Sequence, residues 1–225
     1  MIHSTPRSQG NYSRRLVTVL EPTNAASEAY RALRTSLLYA RKGAPPGVIL
    51  VTSPGSAEGK STVCSNLGVM LARAGKSTLI VDCDLRKPAM HEIFGIPRTP
   101  GLVDILVEGG SLEVVCQEPV PGLRVLPAGV SLADPAELLA SQDLSNLLAD
   151  AREQFDYVLV DSSPAGLFSD PAVLALRGDG VLLALDARKT RKEDVRQTVR
   201  GLTAIGADVL GTVVNNVKGT RYGHY

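Results

Sequence analysis

The sequence has few aromatic residues and few cysteines. Of its 225 residues 4% are aromatic, none is tryptophan, and only Cys64, Cys83 and Cys116 are cysteines. Three scattered cysteines exclude a disulfide framework and are typical of reduced thiols in a cytoplasmic protein. The formal net charge of +1 is equally small. Without a strong positive field, the composition does not predict nucleic-acid binding.

Long apolar runs are also missing. No stretch approaches the 18 consecutive apolar residues that a transmembrane helix needs. Residues 1–15 lack the apolar core of a secretory signal. We therefore expect a cytoplasmic protein without a membrane span of its own. Hydrophobic residues make up 44% of the chain, which suffices for one α/β domain with a sizeable core.

The most informative stretch is residues 47–62, Gly-Val-Ile-Leu-Val-Thr-Ser-Pro-Gly-Ser-Ala-Glu-Gly-Lys-Ser-Thr. Its apolar run, 48–51, suits a buried parallel strand. The small residues of 53–59 allow the backbone to curl with its N–H groups inward, and a helical pattern opens at Lys60. Strand, small-residue loop and helix in this order predict a phosphate-binding loop.

Each part of this loop has an expected role. Lys60 reaches the β- and γ-phosphates, and the Ser61 hydroxyl binds Mg²⁺. The loop is a variant, because Pro54 stands where the first glycine is usual and Gly55 follows one place later. The candidate nucleotide-binding residues of the loop are Ser53, Pro54, Gly55, Ser56, Ala57, Glu58, Gly59, Lys60, Ser61 and Thr62.

Acidic residues follow a second predicted strand, 77–81. Asp82 and Asp84 alternate at its end, and Arg86 comes two residues later. Ligands of open parallel sheets bind beyond the carboxyl ends of the strands. Alternation along an extended backbone predicts that both carboxylates face one bound Mg²⁺ and phosphate. Arg86 is expected to orient this acidic tip or to contact phosphate.

Two further strands end in polar residues. Asp161 follows the apolar strand 157–160, an arrangement typical of the Walker B aspartate that holds Mg²⁺ directly or through water. Asn215 follows the last strand, 209–214, and is either a contact to the nucleotide base or a turn residue.

The alternation of strands and helices predicts a P-loop NTPase type of α/β fold. In it, helices cover both faces of a doubly wound, mostly parallel sheet. We expect a mobile lead-in over 1–20, one domain over 21–217 and a mobile tail over 218–225. Within the domain, residues 89–122 are expected to be irregular and 134–155 to form one helix.

A predicted helix over 25–42 carries a polar stripe. Glu28, Arg31 and Arg34 are three residues apart and so lie along one side of it. Their spacing alone favours a solvated face with one weak ion pair.

Four segments together resemble the catalytic domain of the bacterial tyrosine kinases (BY-kinases) of capsular and exopolysaccharide synthesis, the CpsD/CapB-like group. The resemblance covers about residues 20–217. Residues 53–62 are similar to the Walker A loop, and 79–86 to the Walker A′ segment with its D-x-D-x-R pattern. Residues 158–164 resemble Walker B, with D-x-x-P. The stripe of the first helix matches an E-x-x-R-x-x-R helix.

The resemblance implies transfer of the γ-phosphoryl group of ATP to a tyrosine hydroxyl, with Mg²⁺ as cofactor. Either Asp82 or Asp84 would accept the tyrosine proton. Tyr222 and Tyr225 are the implied acceptors, although family tails usually carry more tyrosines. The implied catalytic residues are Lys60, Asp82, Asp84 and Asp161. The implied metal ligands are Ser61, Asp82 and Asp161.

The resemblance also implies partners. The helix with Glu28, Arg31 and Arg34 serves subunit contacts in the family, so we expect a homo-oligomer, including a ring. Other expected partners are tyrosine-containing protein substrates and a membrane-anchored activator of the polysaccharide co-polymerase kind. That activator would recruit the cytoplasmic chain to the inner face of the plasma membrane. No nucleic-acid partner is expected.

Two other interpretations stay open. One is a MinD/ParA-like P-loop ATPase switch, which would hydrolyse ATP without phosphorylating protein. Those ATPases carry an extra lysine five residues before the Walker A lysine, where this chain has Gly55. The other is a non-catalytic, nucleotide-bound scaffold in polysaccharide export, which the intact acidic and lysine residues disfavour.

Overall fold

A seven-stranded sheet forms the centre of the molecule. The computed structural model describes residues 12–39 and 47–218. The strand order is β3-β4-β2-β5-β1-β6-β7, and every neighbouring pair is parallel except the edge pair β3–β4. The strands are β1 Val48–Thr52, β2 Thr78–Asp82, β3 Gln117–Val120, β4 Leu123–Leu126, β5 Tyr157–Asp161, β6 Gly180–Asp186 and β7 Val209–Asn215.

Helices pack on both faces of this sheet. They are α1 Val17–Leu20, α2 Ala25–Leu38, α3 Lys60–Arg73, α4 Met90–Phe94, α5 Leu102–Glu108, α6 Leu112–Val115, α7 Ala136–Ala140, α8 Gln142–Gln154, α9 Asp170–Ala175 and α10 Lys192–Ala204. Alternate residues of β1 enter different cores: Val48 and Leu50 pack on the side of α8, and Ile49 and Val51 on the side of α3. The doubly wound, mostly parallel α/β class is confirmed.

The strand order decides which loops meet. The chain leaves β1 for β2, two places away, and later inserts β5 between them. β1, β2 and β5 are buried along their whole length. Their carboxyl ends therefore lie side by side at the centre of one sheet edge, where ligands of such folds bind.

The folded part begins earlier than predicted. Residues 12–20 were expected to be a mobile lead-in, but Leu16 is fully buried. The Asn66 side chain on α3 donates to the Arg15 carbonyl oxygen at 2.8 Å and accepts from the Thr18 amide at 2.9 Å. Because most of these contacts use backbone groups, the polar composition of the segment did not reveal them. Residues 219–225 of the tail predicted over 218–225, and residues 1–11 of the predicted lead-in, lie outside the described residues.

Two predicted helices have other bounds. The helix over 134–155 is in fact two helices, α7 and α8, because Ser141 takes an extended conformation with ψ 155°. Its hydroxyl accepts the amide hydrogen of Leu144 and so caps α8, a role that serine favours. The helix over 25–42 is α2, and residues 40–46 lie outside the described part. Among the described residues, no helix combines the length and apolarity needed to cross a bilayer.

Candidate active site

The loop between β1 and α3 turns sharply before α3 begins. Gly59 has φ +91°, and a Cβ atom there would lie 2.4 Å from the Asn215 side-chain nitrogen, so only glycine fits. Ala57 also has positive φ, +57°. This turn brings Lys60 and Ser61 to the first turn of a 14-residue helix. The amides of the loop and the helix N-terminus together favour phosphate at this place.

Glu58 braces the loop from inside. Its side chain is almost fully buried. One carboxylate oxygen accepts the Gly55 amide at 2.7 Å and the other the Thr190 hydroxyl at 2.5 Å. The Asn215 side-chain amide donates to the Glu58 carbonyl oxygen at 2.8 Å. Asn215, predicted as either a contact to the base or a turn residue, thus ties β7 to the loop.

The loop borders a cavity of about 680 Å³. Six of the ten predicted loop residues line it, namely Ser56, Ala57, Gly59, Lys60, Ser61 and Thr62. Pro54, Gly55 and Glu58 line a neighbouring cavity instead. Asn216 lines the first cavity, and so does Arg15, which the sequence had placed in the lead-in.

Lys60 and Asp84 form a buried ion pair in the cavity wall. Lys60 Nζ lies 2.5 Å from Asp84 Oδ2, and the exposed fractions of the two side chains are 11% and 3%. Burial alone would lower the pKa of Lys60, but the carboxylates of Asp161 and Asp84 outweigh it and the pKa is raised. Lys60 is therefore held fully charged beside the phosphate loop.

Asp82 and Asp161, here called the floor, do not line the cavity but lie close enough to Lys60 to raise its pKa. They are aligned partners on the adjacent strands β2 and β5, and both are fully buried. Asp82 Oδ2 accepts the amides of Ala89 and Met90 at 3.0 Å. Asp82 Oδ1 and both carboxylate oxygens of Asp161 have no hydrogen-bond partner. Burial, together with the neighbouring Asp161, raises the pKa of Asp82 to about 8; burial raises that of Asp161 to about 6, although Lys60 opposes it.

These three orphaned oxygens fit a magnesium ion. Mg²⁺ takes oxygen ligands, commonly one or two protein carboxylates with water and substrate phosphates completing the set. The described residues hold no cluster of three or more histidine, cysteine or acidic side chains suited to a metal. Two carboxylates and the Ser61 hydroxyl are therefore what the protein offers, and this is a set that a nucleotide-bound Mg²⁺ uses.

The two aspartates of the Walker A′ segment have different hydrogen-bond partners. β2 ends at Asp82, so the alternation stops before Asp84. Asp82 turns to the amides at the start of α4, while Asp84 lines the cavity. Asp84 Oδ1 also accepts the Lys87 amide at 3.0 Å, which fixes the turn after the strand. That both carboxylates face one bound Mg²⁺ and phosphate stays a prediction.

Arg86 lies at the cavity wall and has a partner that the sequence analysis missed. Its Nε and Nη2 atoms donate to the two carboxylate oxygens of Asp170 at 2.8 and 3.3 Å. Its guanidinium lies 4.6 Å from the centre of the Phe168 ring. Asp170 begins α9, and the Asp-Pro pair at 170–171 is a helix-start signal that could have revealed it.

The polar stripe of α2 is only partly neutralised within the chain. Arg31 pairs with Glu28, and its other nitrogen donates to the Pro22 carbonyl oxygen at 2.6 Å. Arg34 Nε is buried without a hydrogen-bond partner. Tyr222 and Tyr225, the implied acceptors, lie outside the described residues.

Comparison with known proteins agrees with this site. The family described as "AAA domain" matches residues 48–208. EpsB of Ralstonia solanacearum is 36% identical over 98% of this chain, but the chain spans only 30% of that protein's length. The tyrosine-protein kinase YwqD of Bacillus subtilis is 33% identical over 94% of this chain and 90% of its own length.

A solved structure supports the same assignment. The crystal structure of the chimeric protein CapA2B2 superposes with a TM-score of 0.86 at 30% identity, covering 91% of each chain. A relative above 30% identity that matches along nearly its whole length shows common family membership. The chain therefore belongs to the bacterial tyrosine kinases, the BY-kinases.

Proposed function

We propose that the chain is an ATP-dependent protein-tyrosine kinase that regulates capsular or exopolysaccharide synthesis and export. The observation that carries the proposal is the Lys60–Asp84 pair, which borders the same cavity as the phosphate loop and lies near the buried pair Asp82–Asp161. A cation that faces the transferred phosphate, a carboxylate in the cavity wall and two further buried carboxylates nearby are the parts that phosphoryl transfer to a hydroxyl requires.

The phosphate loop performs binding and charge stabilisation. Loop amides and the N-terminus of α3 hold the phosphates of ATP, and Lys60 neutralises charge that moves onto the transferring group. These groups are fixed before ATP arrives, because Glu58 and Asn215 brace the loop from behind. Fixed donors lower the reorganisation that the transition state requires.

Ser61, Asp82 and Asp161 would hold Mg²⁺ with the nucleotide. The bound ion would withdraw negative charge from the phosphates. A bound cation would lower the pKa values of the floor carboxylates, which burial raises and, for Asp82, the neighbouring Asp161 raises further.

Asp84 is the residue that we assign as proton acceptor for the tyrosine hydroxyl. It lines the cavity, whereas Asp82 lies in the floor with an oxygen bonded to two backbone amides. The pKa of a carboxyl is ordinarily far below that of tyrosine, so positioning of the hydroxyl contributes more than basicity.

The acceptors and the assembly are part of the proposal. Tyr222 and Tyr225 are the proposed acceptors. The α2 stripe with Glu28, Arg31 and Arg34 is the proposed contact between copies, and the exposure of the Glu28 and Arg31 side chains leaves them accessible to a neighbour. In such a homo-oligomer or ring, the tail of one copy would enter the cavity of the next. Added phosphate would then weaken the hold of the acidic site on that tail.

A membrane-anchored activator is the other proposed partner. The chain would act in the cytoplasm, recruited to the inner face of the plasma membrane by a protein of the polysaccharide co-polymerase kind. This proposal predicts weak activity of the isolated chain and stronger activity with the cytoplasmic fragment of that partner.

The switch-ATPase alternative has less support. Gly55 stands where such ATPases carry their extra lysine, and its amide is bound by Glu58. The scaffold alternative would not require the Lys60–Asp84 pair, which is intact.

Phosphotyrosine formation on purified protein tests the proposal. With ATP and Mg²⁺, the wild type is expected to gain phosphotyrosine, more strongly with an activator fragment. Lys60→Met should abolish the signal, and the double variant Tyr222→Phe with Tyr225→Phe should abolish autophosphorylation. ATP hydrolysis without phosphotyrosine under every condition would instead identify a switch ATPase.

A further inference from the structure

Two large apolar side chains stand exposed at the mouth of the cavity. Leu167 and Phe168 are 59% and 39% exposed, and both line the cavity that Lys60 and Asp84 line. Adjacent exposed apolar residues beside a charged site add little to the core and indicate a contact surface.

The segment that carries them is held tightly against the phosphate loop. The Ala165 amide donates to the Ser53 carbonyl oxygen at 2.8 Å. At Gly166 a Cβ atom would lie 2.2 Å from the Pro54 carbonyl oxygen, so the backbones are in direct contact. The amides of Leu167 and Phe168 both donate to the Pro164 carbonyl oxygen at 3.1 Å. The two side chains are therefore presented at a fixed place relative to the bound phosphates.

Phe168 is also built into a rigid polar frame. The Arg86 guanidinium stacks on its ring and is held on the other side by two hydrogen bonds to Asp170. Asp170 is almost fully buried, and its Oδ2 also accepts the Ser163 hydroxyl at 3.3 Å. Phe168 and Arg86 thus offer an aromatic face with a cation beside it, close to the reactive end of the cavity.

We propose that the residues at this end form an acceptor slot that receives the aromatic ring of the tyrosine to be phosphorylated. The slot consists of Arg86, Pro88, Pro164, Leu167 and Phe168. This inference rests on the proposed kinase function and adds to it the basis of acceptor choice. Aromatic rings pair favourably with one another and with a guanidinium, and prolines supply flat apolar contacts. Serine and threonine have no ring, so they gain none of this contact.

The slot also fits the chemistry of the transfer. The phenol oxygen of the acceptor forms a bond to the γ-phosphorus of ATP as the bond from that phosphorus to the ADP oxygen breaks. The phenol proton passes to Asp84, which lines the same cavity. A ring held by the slot would present its phenol oxygen at a fixed place in the cavity. Such positioning of reacting groups is a main source of catalytic rate enhancement.

Steady-state kinetics with two substrates test the slot. The probe is a synthetic peptide with one tyrosine among glycines and serines, phosphorylated by the full chain with ATP and Mg²⁺. Phe168→Ala is expected to raise the KM for peptide about tenfold and to leave the KM for ATP within about twofold. Phe168→Tyr keeps a ring and is expected to restore the peptide KM. Leu176→Ala, which removes another exposed apolar side chain just after α9, serves as the control.

A second readout separates ring binding from chemistry. A peptide with phenylalanine in place of the tyrosine should inhibit the wild type competitively and should inhibit Phe168→Ala about tenfold less. An unchanged peptide KM in Phe168→Ala overturns the slot and leaves the kinase function standing. A rise in the KM for ATP alone would assign Phe168 to the nucleotide and also overturns it. If the wild type makes no phosphotyrosine yet hydrolyses ATP, the kinase function fails and the slot fails with it.

Discussion

Aspartates in the wall of the cavity and in the floor behind it have opposite electrostatic surroundings. Asp84 of the wall and Asp82 of the floor even come from the same short segment. In the wall, Asp84 lies against the Lys60 ammonium, and Asp170 against the Arg86 guanidinium. In the floor, Asp82 lies beside another carboxylate, Asp161, and three of their four oxygens have no hydrogen-bond partner. Each wall carboxylate forms an ion pair with a basic side chain, whereas among the described residues the floor carboxylates form none and receive only the longer-range field of Lys60.

This difference shows how two residues at one strand end, Asp82 and Asp84, can come to lie in different surroundings. Asp82 is still in the sheet, so its neighbours are set by strand pairing. Asp84 is past the end of the strand, so its direction is set by a turn. Buried carboxylates without a cation destabilise the fold, and proteins retain such groups mainly at functional sites. The floor therefore costs stability, in keeping with the Mg²⁺ and ATP site that we propose there.

Removal of the wall carboxylate is expected to have the largest effect. Asp84→Asn deprives Lys60 of its partner and removes the proposed proton acceptor. We expect kcat for tyrosine phosphorylation to fall at least about 100-fold. The affinity for a fluorescent ATP analogue should change far less, because the phosphate loop is intact. Asp150→Asn, on an exposed position of α8, is the control. A kcat near that of the wild type in Asp84→Asn would remove Asp84 from the mechanism.

In the floor, the aspartate-to-asparagine substitution Asp82→Asn should stabilise the metal-free protein. The folded pKa values of Asp82 and Asp161, about 8 and about 6, exceed the usual carboxyl value, so the folded state binds more protons than the unfolded state. Stability in EDTA should therefore fall as pH rises from about 4 to 8. Asp82→Asn should flatten this profile and raise the free energy of unfolding at pH 8 by on the order of 2 kcal/mol.

Urea denaturation at several pH values measures both effects of that floor substitution. The asparagine oxygen can still accept the amides of Ala89 and Met90, so the packing of α4 is kept. A wild type whose stability rises with pH across this range, or a variant that is less stable at pH 8, would contradict the assignment of an unneutralised floor.

The second wall pair should contribute a smaller amount. Asp170→Asn weakens two hydrogen bonds to Arg86, and its carboxyl group is almost fully buried. We expect a loss of about 1–3 kcal/mol in the free energy of unfolding. Glu193→Gln, which breaks the exposed pair with Arg196, should cost less than about 0.5 kcal/mol. Equal losses of unfolding free energy in the two variants would show that burial does not make the Asp170–Arg86 pair more stabilising than the exposed Glu193–Arg196 pair.

The smallest effect on stability is expected in the phosphate loop between β1 and α3. Ala57 has φ +57°, which glycine adopts without strain. Ala57→Gly should therefore raise the free energy of unfolding by about 0.5–1 kcal/mol, the relief of strain exceeding the added freedom of the unfolded chain. Ala172→Gly in α9 should instead lower it by about 1 kcal/mol. Thermal unfolding compares the stabilities of the two variants. A loss of stability in Ala57→Gly would contradict the inference that the backbone at Ala57 is strained.

Local patterns predicted the fold class and the phosphate loop. An apolar run, a small-residue loop and a helix start follow one another in the chain, so the order of residues carried the inference. The aspartates at the ends of β2 and β5 were also predicted from the order of residues along the chain. Their pairing could not be predicted, because it depends on β5 inserting beside β2, and strand order is not written in any local window.

Contacts between distant segments account for most of what was missed. Arg86 and Asp170 are 84 residues apart, and the interaction depends on where α9 returns to the sheet. The segment around Leu16 is polar in composition but binds α3 through its backbone, which side-chain patterns do not report. The break at Ser141 was hidden because the apolar spacing continues through both α7 and α8.

The fate of the γ-phosphoryl group tests the central claim most directly. Purified chain, with and without activator fragment, would be incubated with γ-labelled ATP and Mg²⁺, and label on tyrosine would be compared with label released as inorganic phosphate. The account predicts label on tyrosine in the wild type and its loss in Asp84→Asn despite retained nucleotide binding. Label released only as phosphate, equally in both proteins, would contradict the kinase and the role of the Lys60–Asp84 wall.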